Sequence, residues 1–290
     1  MLMKLPYTHC AALWATLLAV FSANVHAQDT PAGARIHASK IILVGDSTTQ
    51  VNSGWGGSFC AYHVTSFAAC VNLARGGRST LSYRAEGSWD LALAEMKTPS
   101  FVNTWVLIQF GHNDQPGKPG RSTDLATEFP TNIRHYVEEA RAAGAHPILL
   151  TPLTRRQFKN GQLQNDLAPW AQAIVKVATE LKVPLVDLNA KSAAAVQAMG
   201  PVAATDLAQA TPANEILAAA KSGTTIEASS VTPAPVTPIT APNAPAPSMG
   251  QLKRTFDYTH LGSKGADFFS KLVTDELAIQ VPDLRPLLIP

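Results

Sequence analysis

Four short polar clusters carry the side chains that could do chemistry in this chain. "GDSTT" follows an apolar run at residues 41–44 and presents Ser47. "NLARGGRST", residues 72–80, follows a second, shorter run. "GHND", residues 111–114, follows "WVLIQF", and "DYTHLG", residues 257–262, precedes the last helical segment. A polar turn after a strand is ordinarily structural. Four of them supply, between them, what acyl transfer needs. A serine attacks poorly unless a base takes its proton. Histidine is the usual base, and a carboxylate must hold its tautomer and orientation. Ser47 can attack, His260 can accept the proton, and Asp257, three residues earlier, can reach the other side of the imidazole within one turn. The oxyanion of a tetrahedral intermediate needs donors aimed at it. The backbone N–H groups of Ser47 and Gly77, with the Asn113 amide, can supply them, and Gly77 permits close approach because it has no side chain.

The elements that must position these groups alternate. Residues 40–44, 69–73, 104–110, 146–152 and 183–188 read as strands. Residues 55–67, 88–96, 128–143, 166–181 and 262–278 read as helices. Pro130 and Pro169 are tolerated in first turns, Asp166 is an expected N-cap, and Gly144 ends its helix. Strands that are continuous apolar runs, alternating with helices, predict a parallel sheet covered on both faces. Ligands of such sheets bind beyond the carboxyl ends of the strands, where these clusters fall.

Composition limits the alternatives. The chain has 290 residues and a formal charge of +2, with no long run of like charge, so no nucleic-acid surface or polybasic membrane patch is expected. Residues 1–27 combine Lys4, a short apolar stretch and "VHA", the pattern of a secretory signal peptide cleaved after Ala27. The expected product is a single domain, residues 28–290, secreted or periplasmic and without a membrane anchor. Cys10 leaves with the signal, and in an exported protein Cys60 and Cys70 are expected to pair, two buried thiols being the alternative. Neither sits in Cys-x-x-Cys, which argues against zinc and redox roles. Residues 203–251, rich in Ala, Pro, Thr and Ser, read as a flexible low-complexity insert. Its plain reading is a solvated loop, its sharper one a flap beside the site.

Other residues invite two readings each. Asp46 abuts Ser47 but reads as a turn carboxylate accepting backbone hydrogen bonds, and Asp114 as the same for its own loop. His112 reads as orienting the loop that presents Asn113. Trp55 reads as packing under the loop after Ser47, with a sugar platform as the alternative. Arg78, Arg155 and Arg156 are candidates for recognising substrate carboxylates, against the alternative of surface charge. There is no Gly-x-Ser-x-Gly elbow, His-Glu-x-x-His helix or dinucleotide-binding glycine turn.

The clusters resemble the four blocks of the SGNH, or GDSL-type, hydrolases, named for residues that here are Ser47, Gly77, Asn113 and His260. "GWGGSF", "ARGGRSTLSYRAEGSWD", "IQFGHNDQPGKPG", "TPLTRR" and "DYTHLGSKGA" are similar to rhamnogalacturonan acetylesterases and their bacterial relatives. The resemblance runs from about residue 40 to 272, apart from the low-complexity tract. It implies an α/β fold, a three-layer α/β/α sandwich of flavodoxin-like type with a central five-stranded parallel sheet. It also implies no cofactor and no metal, a triad of Ser47, Asp257 and His260, and an oxyanion hole of Ser47, Gly77 and Asn113. The activity implied is deacetylation of pectic polysaccharide; separately, a monomer is expected. Acetylxylan or another ester as substrate, and a non-catalytic glycan-binding module, are the alternatives.

Overall fold

The computed structural model describes residues 37–227 and 254–290. Residues 1–27 and 228–251, which carry the expected signal peptide and most of the low-complexity tract, lie outside the described residues.

Strand β1 (Ser39–Gly45) is buried along its whole length, as is β3 (Thr104–Gln109). With β2 (Ala68–Asn72), β4 (His146–Leu150) and a two-residue strand, Leu185–Val186, they form one parallel sheet in which β1 lies between β2 and β3. The chain moves outward from β1 to β2, then returns past β1 to β3. The loops after β1 and β3 therefore part at a topological switch point, where such sheets bind ligands.

Alternation along the strands divides the core into two layers. Ile41, Leu43, Leu107 and Ile148 face α1 (Gly56–Tyr62), α6 (Leu188–Thr205) and α8 (Ser263–Gln280), through residues such as Phe59, Val196 and Phe269. Ile42, Val44, Val106 and Leu149 face α2 (Thr80–Ala85), α3 (Ser88–Met96), α4 (Glu128–Ala142) and α5 (Ala168–Leu181), through residues such as Tyr83, Trp89, Ile133 and Ile174. This is the expected α/β/α sandwich. The Cys60–Cys70 disulfide joins α1 to β2 across a Cα separation of 5.5 Å.

Several boundaries differ from the sequence expectation, each for a local reason. The helix expected over 55–67 stops at Tyr62, because Val64 bridges to Leu288 near the C-terminus. The strand expected over 183–188 shrinks to two residues, because Asp187 turns outward and caps α6 by accepting from the Ala190 amide. Asp166 is not the N-cap of α5; Leu167 holds that position, and the Asp166 carboxylate is taken by Arg155. Helix α2 was not expected. Its signal is a capping box in which Ser79 and Ser82 each bond the other's backbone amide.

The largest correction concerns residues 203–227, expected to be part of a flexible insert. They are ordered. Helix α6 runs to Thr205, with a break at Gly200 before Pro201, and α7 (Asn214–Lys221) follows. Alanine-rich sequence is strongly helix-forming, and Ile216 of α7 gives it an apolar anchor against Phe256 and Tyr258.

Candidate active site

The turn after β1 is fixed from several directions. Asp46 Oδ1 accepts from the Thr48 amide and hydroxyl, both at 2.8 Å, so Asp46 is the turn carboxylate that the sequence suggests. Gln109, at the end of β3, accepts from Thr49 Oγ1 (2.6 Å) and from Trp55 Nε1 (2.7 Å). Trp55 is fully buried, so it packs beneath the loop and is no sugar platform. A Cβ on Gly54 would lie 2.3 Å from Thr48 backbone, so the "GWGG" segment can press against the turn only as glycine.

His260 enters from the loop before α8. Its Nε2 lies 2.9 Å from Ser47 Oγ, and its Nδ1 lies 2.8 Å from Asp257 Oδ2. These partners assign the tautomer: Nδ1–H donates to the carboxylate, and Nε2 is free to accept from the serine. Asp257 Oδ1 accepts from the amides of Thr259 and His260, each at 2.7 Å. Burial works against the Asp257 charge, but the hydrogen bonds from the His260 ring and the loop amides outweigh it and hold the carboxyl below its usual range. Residues 203–227 contribute here too: Gln209 donates to Asp257 Oδ2 at 3.3 Å, and the Tyr258 hydroxyl donates to the Ile226 carbonyl at 2.9 Å.

Ser47, Gly77, Asn113 and His260 line one cleft of about 880 Å³. Gly77 has φ of +77°, a conformation that turns the loop after β2 into the cleft at little cost only for glycine. Asn113 donates one amide hydrogen to the Arg78 carbonyl at 3.0 Å, which ties that loop to the one after β3. Among the described residues no protein acceptor takes the Ser47 and Gly77 amides. Asp114 does not cap its own loop's backbone as expected: Oδ1 accepts from the Thr80 amide (3.0 Å) and hydroxyl (2.5 Å) across to α2, and from the Thr123 hydroxyl (3.2 Å). His112 is buried, with Nδ1 3.3 Å from Asp46 Oδ2 but misaligned for a hydrogen bond.

The three candidate arginines separate. Arg78 does not line the cleft; its guanidinium holds Glu86, Nε 3.0 Å from Oε1 and Nη2 2.8 Å from Oε2. Arg156 does not reach substrate space either, being 1% exposed and turned onto backbone carbonyls. Arg155 does line the cleft, braced by Asp166 and by Gln115 at 2.9 Å. Sequence reasoning missed the other cations at the cleft, Lys118, Arg121 and Arg254, and no carboxylate lies among its lining residues. Lys118 Nζ donates to the His112 carbonyl, and burial with the neighbouring Arg155 and Arg121 lowers its pKa. It missed Ser53 as well, whose hydroxyl donates to the Ser47 carbonyl (3.0 Å) while its own carbonyl accepts from the Leu261 amide (2.8 Å). Ser53 thus links the serine turn to the histidine loop. Among the described residues no cluster of His, Cys, Asp and Glu is arranged to hold a metal ion, and no helix is long and apolar enough to cross a membrane.

Comparison with known proteins places the chain among relatives. The chain is 36% identical over 163 residues to "Probable rhamnogalacturonan acetylesterase YesY" of Bacillus subtilis (strain 168), covering 54% of this chain and 73% of that protein. It is 36% identical over 170 residues to "Rhamnogalacturonan acetylesterase RhgT" of the same organism, covering 56% of this chain and 70% of that one. The crystal structure of protein YXIM from Bacillus subtilis superposes with a TM-score of 0.59 at 22% identity, covering 84% of this chain. This chain spans 57% of that crystallised chain, and the likeness speaks to the fold. Residues 43–207 match the GDSL-like lipase/acylhydrolase family, a match that ends before Asp257 and His260. With the serine turn, the sheet order and these relatives in hand, the chain belongs to the GDSL-like, or SGNH, family of carboxylic ester hydrolases.

Proposed function

We propose that this protein is an exported serine esterase that removes acetyl groups from pectic polysaccharide. The observation that carries the reading is the continuous line from Asp257 through His260 to Ser47 Oγ, at the mouth of a cleft lined also by Gly77 and Asn113. Ser47 Oγ attacks the acetyl carbonyl as its proton passes to His260 Nε2. The Ser47 and Gly77 amides and the second Asn113 amide hydrogen hold the oxyanion. His260 then gives the proton to the sugar oxygen as its bond to the acetyl carbon breaks, so the sugar leaves as an alcohol and acetyl-serine remains. Water, deprotonated by His260, attacks that ester, and acetate leaves with Ser47 reprotonated.

The substrate class rests on charge and on relatives. Lys118, Arg121, Arg155 and Arg254 surround the cleft without an acidic lining residue. Such a rim favours a glycan bearing carboxylates over a neutral one such as xylan. Two relatives named as rhamnogalacturonan acetylesterases support the same direction. Export rests on the pattern of residues 1–27 and on the disulfide, a bond of oxidising compartments. The test is acetate release from acetylated pectins, xylans and simple esters, with Ser47→Ala as control. Activity retained by Ser47→Ala would refute the mechanism, and a preference for xylan over pectin would refute the substrate assignment.

A further inference from the structure

Arg156 takes four consecutive backbone carbonyls, residues 257–260, of the loop that carries the base. Its own amide donates to the Tyr258 carbonyl at 3.0 Å. Its Nη1 donates to Thr259 O at 3.2 Å, and its Nη2 to Asp257 O at 3.1 Å and His260 O at 2.9 Å. The Asp257 carboxylate serves the same loop in the opposite sense, accepting from the amides of Thr259 and His260. The loop is therefore folded around a cation that takes its carbonyls and an anion that takes two of its amides.

Other contacts hold the loop at its margins, where Gln209 donates to the Thr255 carbonyl and Leu261 bridges Ala208 and donates to the Ser53 carbonyl; Arg156 serves its centre. Residues 254–257 are neither helix nor strand, and α8 begins only at Ser263. Arg156 comes from the segment just after β4, so it measures the loop against the edge of the sheet that also carries Ser47. The guanidinium makes no ion pair among the described residues, and its Nε has no partner. Burial pulls its pKa down to about 10, against the attraction of Asp257, so it stays charged at neutral pH. Burying a cation is costly unless hydrogen bonds satisfy it, and a side chain needed only to fill space would be apolar. A planar fork can serve three carbonyls at once; a lysine ammonium is a single point.

We infer that Arg156 is a positioning residue for acyl transfer: by gripping the carbonyls of residues 257–260 it keeps His260 Nε2 in line with Ser47 Oγ. The inference rests on the Ser47–His260–Asp257 reading above. A displacement of reacting groups by about 1 Å can cost on the order of 10²-fold in rate. The test is steady-state kinetics of Arg156→Lys and Arg156→Met, with kcat counted per active site titrated by a fluorophosphonate. The expected result is a kcat lowered roughly 10- to 100-fold for Arg156→Lys, and further for Arg156→Met, with KM within about twofold of the wild type. Wild-type kcat per titrated site in either variant, or a raised KM with kcat kept, overturns the inference. If neither variant folds, nitrogen-15 arginine spectra of the wild-type protein decide. Slowly exchanging, separately resolved Nη protons are expected for Arg156, and a single fast-exchanging signal overturns the grip. Ser47→Ala separates the two levels: activity in that variant sinks the serine mechanism, whereas an inactive Ser47→Ala beside unaffected Arg156 variants sinks this inference alone.

Discussion

His260 Nε2 sits 2.9 Å from Ser47 Oγ, although 213 residues separate them in the chain. Neither residue reaches the other through its own element. Ser47 stands on a turn locked by Asp46 and Gln109, His260 on a loop folded about Arg156, and Ser53 bonds both segments. The pairing is a property of the sheet edge, which places the ends of β1 and β4 where both loops can close over them.

The role of Asp257 gives the sharpest test of that pairing. Its carboxylate fixes the His260 tautomer that leaves Nε2 ready to accept. Asp257→Asn keeps the shape but would present an amide where an acceptor is needed. The expected result is a kcat lowered on the order of 10⁴-fold with KM little changed, read by acetate release from any substrate the wild type turns over. A loss under tenfold would show that Asp257 is not the orienting acid.

In the proposed mechanism Asn113 divides its amide between structure and catalysis. One hydrogen is spent on the Arg78 carbonyl at 3.0 Å, and Asn113 itself lines the cleft. Asn113→Ala should lower kcat by about 10²–10³-fold, the cost of losing one oxyanion donor. KM should hold, because the oxyanion exists only along the reaction. A variant whose KM rises while kcat stays would place Asn113 in ground-state binding instead.

How much of this was legible in sequence follows from how local each signal is. The strand runs at 41–44 and 104–110, and the polar turns after them, are local, and both elements and turns stand where the pattern put them. The arginines are the opposite case. "GGR" and "TRR" look alike as basic residues after strands, yet Arg78 turns to Glu86, Arg155 to the cleft and Arg156 inward. Which way each turns depends on a partner 8 residues away for Arg78 and about 100 residues away for Arg156. Gln109 gave a faint signal, a lone amide in an apolar run. Residues 203–227 were misread because alanine-rich sequence can be a helix or a low-complexity tract, and only the anchoring of Ile216 by Phe256 and Tyr258 decides.

The cationic rim predicts a split between substrates. Arg121→Gln and Arg254→Gln remove charge at the cleft; Arg121 also donates to the Gly77 carbonyl at 3.4 Å. Each should lower kcat/KM about tenfold on acetylated oligosaccharides that carry uronate carboxylates, and Arg254→Gln should leave 4-nitrophenyl acetate hydrolysis unchanged. Added salt should narrow the gap between wild type and variants, since exposed charges are screened. Equal losses on both substrates would mean that the arginines support the fold of the site, not the recognition of charge.

Asp114 makes the protein's stability depend on pH in an unusual direction for a carboxyl. It is fully buried, and burial outweighs the hydrogen bonds from Thr80 and raises its pKa from 3.8 to about 7, helped by the nearby charge of Asp46. The folded state therefore holds a proton that the unfolded state releases, so this group costs stability progressively as pH rises from about 4 to about 7. The depressed carboxyls of Asp46 and Asp257 act with the opposite sign, but only as pH falls below 3.8, outside that window. Asp114→Asn removes the titration while keeping an oxygen for Thr80. Burying its unpaired amide nitrogen adds a constant penalty, because Asp114 Oδ2 has no partner now. The measurement is urea unfolding of both proteins at pH 5 and pH 8. Between them the wild type should lose roughly 2–3 kcal/mol relative to Asp114→Asn. Parallel stability curves across that interval would show that Asp114 is already ionised in the folded protein at pH 5.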